Sequence, residues 1–275
     1  SPEPHISKIA VALAESRLDQ HAPEDLRYLR LGYWELLRQY RLAETTYSTH
    51  VLLPGRDLSR RRRHVHLTHG SGPKPDTTFR APTNVLASIT PQWVPDQLRE
   101  YKLPATTEVI HYMPRLEVMR RAVGDRTVPE RLGLDPARKF VVWAPTYRAS
   151  RRSHNEVRVS GTELSDVLCQ RATRAPADLS PLDEAKRRGW ELVIKVHPHD
   201  SGTFEAFEVP VVTNLMLRKL KITPYEVFGA ADLVITDYSS VSSEREELGL
   251  HCTLWRPDFE EFLGSYRGLR NMRSE

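Results

Sequence analysis

The sequence predicts an α/β chain of two halves, the second a parallel sheet with helices over both faces. Three observations predict it. Short, nearly continuous apolar runs alternate with amphipathic stretches, as strands buried on both faces require. The polar signatures APTYR, KVHPHD and TDYSS each sit at the end of such a run, where ligands of parallel sheets bind. A length of 275 residues accommodates two moderate domains, each with material for a core.

The elements follow in order. Apolar residues recur at helical spacing from Ile6 to Leu18, and Leu26, Leu29, Tyr33, Leu36, Leu37 and Tyr40 mark a second amphipathic helix, both expected to cover a sheet. Thr49 to Leu53 and His64 to Thr68 read as strands, the second breaking at His69 and Gly70 into a loop rich in Gly and Pro. Val85 to Ile89 and Glu108 to His111 are further strands, with a helix near Pro95 to Tyr101 between them. The composition turns polar from Arg131 to Arg138, which sets the expected boundary between domains 1–130 and 131–275. Beyond it Phe140 to Ala144, Leu192 to Val196, Val211 to Thr213, Leu233 to Thr236 and Cys252 to Trp255 read as strands separated by helical stretches.

Composition narrows the function. The net charge is only +4, but basic residues cluster at Arg60 to Arg63, Arg120 with Arg121, Arg151 with Arg152 and Lys186 to Arg188, which suits phosphorylated substrates, an anionic membrane surface or nucleic acid. Cys169 and Cys252 stand far apart, so no disulfide framework or cysteine zinc site is indicated, and a reducing cytoplasm fits. No apolar run reaches the ~18 residues of a bilayer span, and membrane contact would be peripheral. The opening Ser1 and Pro2, without Met, suggest a trimmed segment.

Four stretches could carry chemistry. In ADLVITDYSSVSSE, Ala231 to Glu244, an apolar strand runs through a polar turn into a helix start, where hydroxyls, N–H groups and the helix dipole favour an anion; Ser243 with Glu246 also has capping-box spacing. In HLTHGSGPK, His69 is placed to act as general base among the small residues of its loop, with Lys74 five residues on. His64 and His66 share a strand face, yet no carboxylate or Cys completes a metal site. In ELVIKVHPHD, Lys195 and His197 point to one side of a strand that Pro198 ends, so two cations would converge on a phosphate. Arg148 in WAPTYR and Arg115 in MPRLEVMRR are further candidate anion contacts. Absent are the Walker phosphate loop, the G-x-G-x-x-G fingerprint and the G-x-S-x-G elbow, which weighs against nucleotide triphosphate hydrolysis, dehydrogenase and esterase chemistry. No D-x-D pair is present to hold a divalent ion against a nucleotide-sugar diphosphate, which leaves a transferase that uses protein cations and helix dipoles; no metal-ligand set is singled out and no cofactor is expected.

The series HGSGPK, MPR, APTYR, KVHP, ADLVITDYSS with Glu244, and YRG at Tyr266 to Gly268 resembles the CDP-glycerol glycerophosphotransferase family of teichoic-acid and capsule synthesis, from about residue 60 to 270. The resemblance implies a GT-B-like fold, two Rossmann-like domains facing a cleft, here with an abbreviated N-terminal one. It implies transfer of polyol phosphate from a CDP-polyol to a polymer or lipid-linked hydroxyl, with release of CMP, in the cytoplasm or on the inner membrane face and without nucleic acid. It makes His69 the general base and His197 a diphosphate contact that assists CMP departure. Ser239 and Ser240 would hold donor phosphates, and Glu244 would meet the ribose. Lys195, Arg148 and Asp237 would lie on the phosphate side; Gly70, Lys74, Arg115 and Arg267 would line the acceptor side or cleft. The sequence departs from the family pattern at Thr68, where a Trp is usual. Two other readings remain open: a GT-B enzyme using a UDP-sugar, and a noncatalytic module that docks on anionic polymer or membrane.

Overall fold

A computed structural model of the chain describes residues 9–12 and 26–29 as backbone, and residues 43–49, 63–68, 83–146, 181–197, 209–256 and 259. Every strand pairing among them is parallel. Strands β1 (Ile9–Ala12) and β2 (Leu26–Leu29) form a separate pair. β3 (Thr45–Ser48), β4 (Arg63–His66), β5 (Val85–Ala87) and β6 (Glu108–Ile110) form a four-stranded sheet in sequence order.

The third sheet is wound differently. Its strands are β7 (Phe140–Ala144), β8 (Glu191–Lys195), β9 (Val211–Val212), β10 (Leu233–Thr236) and β11 (Cys252–Leu254), and their order is β11-β10-β7-β8-β9. The first strand is thus central. The chain winds outward through β8 and β9, then crosses β7 to add β10 and β11 on the other side. The direction of winding reverses between β7 and β10, and in open α/β sheets the crevice outside the carboxyl ends at such a switch point is where ligands bind.

Alternation along the strands assigns the two faces. Phe140, Val142, Ala144 and Val234 join one core, while Val141, Trp143, Leu192, Ile194 and Ile235 join another with Ala185. Ala185 belongs to α4 (Pro181–Arg188), whose last turn carries the exposed Lys186, Arg187 and Arg188. The first core does not stop at this sheet: it runs through Met113, Leu116 and Met119 to Val65, Val85 and Ala87 of the four-stranded sheet. The link is α2 (Pro114–Arg121), which follows β6 and packs on α6 (Pro224–Ala230). Gly229 makes that approach attainable, because a Cβ there would lie 2.2 Å from the Met119 carbonyl oxygen. Between them, α3 (Thr127–Arg131) also rests on α6. The remaining helices are α1 (Val94–Glu100), α5 (Asn214–Lys219) and α7 (Val241–Glu247).

Strands β4 to β11 and helix α1 lie within two residues of the sequence expectations. Two expectations are corrected. Ile9–Ala12 and Leu26–Leu29 are strands, not helical turns; short apolar runs satisfy a helical spacing and a strand equally well. Of the strand expected over Thr49 to Leu53 only Thr49 is described, where the chain bends, and residues 50–53 lie outside the described residues; Thr45–Ser48, just before it, is a strand that was not expected. Ser243 with Glu246 lies inside α7 and caps nothing; the capping box that does form is Thr223 with Glu226, at the start of α6 with Pro224 in its first turn.

Candidate functional site

At the switch point, the ends of β7 and β10 are laced together. The Thr236 hydroxyl donates to the Ala144 carbonyl at 2.6 Å. One residue on, the buried Asp237 carboxylate accepts the Thr146 N–H at 2.9 Å and its own neighbour Tyr238 N–H at 2.6 Å. From beyond β11, Arg256 Nε donates to the Asp237 carbonyl at 2.9 Å and its guanidinium stacks 5.4 Å from the Tyr238 ring. The TDYSS turn is therefore fixed from both sides before α7 begins.

Ser239 and Ser240 sit where that turn enters the helix. Ser240 occupies the N-cap position without a side-chain cap bond, and the Ser242 hydroxyl donates to the Ser239 carbonyl at 2.9 Å. On the other side of β7, β8 ends at Lys195, which is buried with its Nζ donating to the Val196 carbonyl at 2.6 Å, and His197 follows half-buried. Thr146, Lys195, His197, Asp237, Ser239 and Ser240 thus come from the carboxyl ends of three adjacent strands. Two hydroxyls, a lysine and an imidazole at one sheet edge are the kinds of group that suit a polyanion.

Glu244, one turn into α7, is 1% exposed and paired with Arg115 of α2, 10% exposed, at 2.7 Å. Arg115 also donates from Nη1 to the Thr68 carbonyl at 3.1 Å. Burial pushes the Glu244 carboxyl above its ordinary value, against the pull of the Arg115 guanidinium and the Ser240 hydroxyl. Tyr225 of α6 is raised as well, by burial and then by the Glu244 charge. The next residue, Arg245, turns the other way and donates to the carbonyls of Phe228, Ala231 and His251. Burial lowers it to about 10.

The structure therefore brings Lys195, His197, Asp237, Ser239 and Ser240 to one edge and joins Arg115 to Glu244 nearby. His69, Gly70, Lys74, Arg148 and Arg267 lie outside the described residues. His64 and His66 are built into the four-stranded sheet, His64 Nδ1 against the Thr46 hydroxyl at 2.7 Å and His66 Nδ1 against the Ser48 carbonyl at 3.1 Å. Among the described residues no group of three or more His, Cys, Asp or Glu could hold a metal. Two contributors were not expected from the sequence, Arg256 and Tyr225. Each lacks a motif, and only the topology brings it to the site.

A depression of about 440 Å³ lies at the opposite end of the third sheet, lined by Arg126, Ala137, Arg138, Lys139, Asp232 and His251. These residues flank the amino ends of β7, β10 and β11, away from the switch-point edge.

A family model described as CDP-glycerol:poly(glycerophosphate) glycerophosphotransferase matches residues 97–244. Among solved structures, the wall teichoic acid polymerase TagF is similar in fold. One structure of a TagF variant soaked with CDPG aligns with a TM-score of 0.55 at 15% identity, over 90% of this chain and 62% of that one. A second soak gives 0.53 at 15% identity over 83% and 58%, and a further TagF structure 0.51 at 17% over 79% and 55%. This chain thus spans about 55–62% of the length of the TagF chains it matches. The likeness shows the GT-B-like α/β fold with its parallel sheets. No curated protein sequence matches the chain.

Proposed function

The chain belongs to the CDP-glycerol:poly(glycerophosphate) glycerophosphotransferase family, and from that premise we propose that it transfers polyol phosphate from a CDP-polyol to a hydroxyl acceptor and releases CMP. The observation that carries the proposal is a coincidence of two independent results. The family match ends at Glu244 and includes Arg115, Lys195, His197, Asp237, Ser239 and Ser240, and the fold gathers the last five at its topological switch point.

In this reading residues 1–130 are the acceptor-side domain and residues 131–275 the donor domain. The donor diphosphate lies across the switch-point edge, its charge met by Ser239 and Ser240, Lys195 and His197, with Arg148 on the same side. Glu244 lies on the ribose side with its carboxylate buried against Arg115, and Asp237 holds the turn in shape. The acceptor hydroxyl oxygen bonds to the phosphorus that carries the polyol; the bond from that phosphorus to the bridging oxygen breaks and CMP departs, helped by His197. His69 takes the hydroxyl proton, with Gly70, Lys74 and Arg267 around the acceptor. Positioning and electrostatics do most of the catalysis. The acceptor is a teichoic-acid-like or capsular polymer, or its lipid-linked precursor, so the work is done on the cytoplasmic face of a membrane. The basic last turn of α4 suits contact with anionic lipid. Among the described residues no helix is long and apolar enough to cross the bilayer.

The test is CMP release across CDP-glycerol, CDP-ribitol and UDP-sugars, with and without polymer acceptors. Release of CMP that requires an acceptor supports the proposal. Turnover of UDP-sugars alone, or polymer binding with no nucleotide released, overturns it. His69→Ala should lower turnover by about 10²- to 10⁴-fold with little change in donor affinity, as loss of a general base does.

A further inference from the structure

Arg115 touches two elements that are remote in sequence. Glu244 belongs to α7, the helix that leaves the switch-point turn, 129 residues away. Thr68 lies 47 residues away, two residues past the end of β4 and directly before His69 in the sequence. One guanidinium thus bonds the exit of the four-stranded sheet and the first turns of the donor-side helix at once. Its own place is set by packing, because α2 is seated on α6 at Gly229.

Two properties separate this pair from a surface contact. Both partners are out of water, Arg115 at 10% and Glu244 at 1% exposure, so the geometry is held rather than sampled. Their bonding capacity is also unfilled. Arg115 Nη2 and Glu244 Oε2 are buried with no hydrogen-bond partner, and orphaned groups of that kind call for an explanation beyond packing. A lysine could keep the charge but not the two directed bonds from Nε and Nη1, since the fork is particular to guanidinium.

Resting on the function proposed above, we propose that Arg115 is a positioning residue for the transfer step: through Glu244 it fixes the exit of β4 relative to the donor helix. Donor binding then survives a change at Arg115, while the rate of transfer does not.

Arg115→Lys and Glu244→Gln test this in the full chain. Donor Kd is measured by calorimetry with CDP-glycerol, kcat and KM by CMP release with acceptor, and hydrogen exchange over residues 63–68 and 241–247. For Arg115→Lys we expect a Kd within about threefold of wild type and a kcat lower by about 10- to 100-fold, the range that misplacement of reacting groups produces. Exchange should quicken in both segments together, in Arg115→Lys and also in Glu244→Gln, although it is Arg115 that bonds the Thr68 carbonyl. A kcat within threefold of wild type overturns the proposal; so does a Kd that rises as much as kcat/KM falls, which would make Arg115 a donor contact. Exchange that quickens only in the segment bearing or touching the altered residue also overturns it. If wild type releases CMP from no CDP-polyol, the functional reading fails, while the exchange measurements still decide whether the joint exists. If Arg115→Lys does not fold, Glu244→Gln carries the exchange test.

Discussion

The two ends of the five-stranded sheet handle charge in opposite ways. At the amino ends, charges are paired in water: Arg126 with Asp232, 46% and 29% exposed, and Arg138 with Glu191, 47% and 19% exposed. At the carboxyl ends, Lys195, Asp237 and Glu244 are each at most 5% exposed. Burying charge is costly and adds little net stability even when it is paired. Arg245 is buried as well, against the backbone carbonyls of Phe228, Ala231 and His251, but Lys195 and both buried carboxylates, Asp237 and Glu244, lie at the edge where the winding reverses. In the depression at the amino end Arg126 is paired with Asp232, and Arg138 with Glu191 of β8.

The sharpest break of this comparison is the same substitution made at each end. Arg115→Ala leaves the Glu244 carboxylate buried without its partner, and we expect a loss of about 3–5 kcal/mol in urea unfolding. The double variant Arg115→Met with Glu244→Leu replaces the pair by apolar volume. It should recover most of that stability yet stay as slow in CMP release as the single variant. Recovered turnover would mean that the pair serves stability alone.

Next in size is the seam between α2 and α6. Gly229→Ala would push a methyl to 2.2 Å from the Met119 carbonyl oxygen, and backbone atoms rather than a flexible side chain must yield. Overpacking of this kind costs about 1–3 kcal/mol, less a gain of about 0.5–1 kcal/mol from replacing Gly inside a helix. Because α2 carries Arg115, its displacement should also slow transfer. An unchanged midpoint together with unchanged kcat would show that the seam has slack.

Much of this architecture was legible in the sequence, for stated reasons. Runs such as FVVWA and LVI are apolar because helices cover both sides of the sheet, and the polar residues that follow them mark its carboxyl edge. The TDYSS turn could be found because Asp237, Tyr238, Ser239 and Ser240 are neighbours in the chain. The Arg115–Glu244 pair could not, since 129 residues separate its members and each alone looks like an ordinary helix residue. Arg256 was hidden for the same reason: its contact with the Asp237 carbonyl exists only once β11 lies beside β10. The order β11-β10-β7-β8-β9, and with it the switch point, is a property of pairing that no single strand encodes. At the amino terminus the failure was of period, because four-residue runs such as IAVA do not distinguish strand from helix.

The smallest expected effect lies at the amino end and fixes the other limb of the comparison. Arg126 grips both oxygens of Asp232 at 2.9 Å, and Asp232 also accepts the Phe140 N–H at 2.8 Å. Burial works to raise the Asp232 carboxyl, but the Arg126 bond, the Phe140 N–H and the charges of Arg126 and Lys139 outweigh it and hold the group below its ordinary value. A carboxyl lowered by folding stabilises the native state above the unfolded pKa of about 3.9, and that contribution fades as pH falls through the folded value. Arg126→Ala should therefore cost only about 0.2–1 kcal/mol at pH 7, because the pair is largely in water. The difference from wild type should narrow as the buffer is taken below about pH 4, and narrow again in 1 M salt, where the Debye length is about 3 Å. Urea midpoints measured across that pH series check it. A loss as large as that of Arg115→Ala, or one that salt leaves untouched, would erase the contrast between the two ends of the sheet.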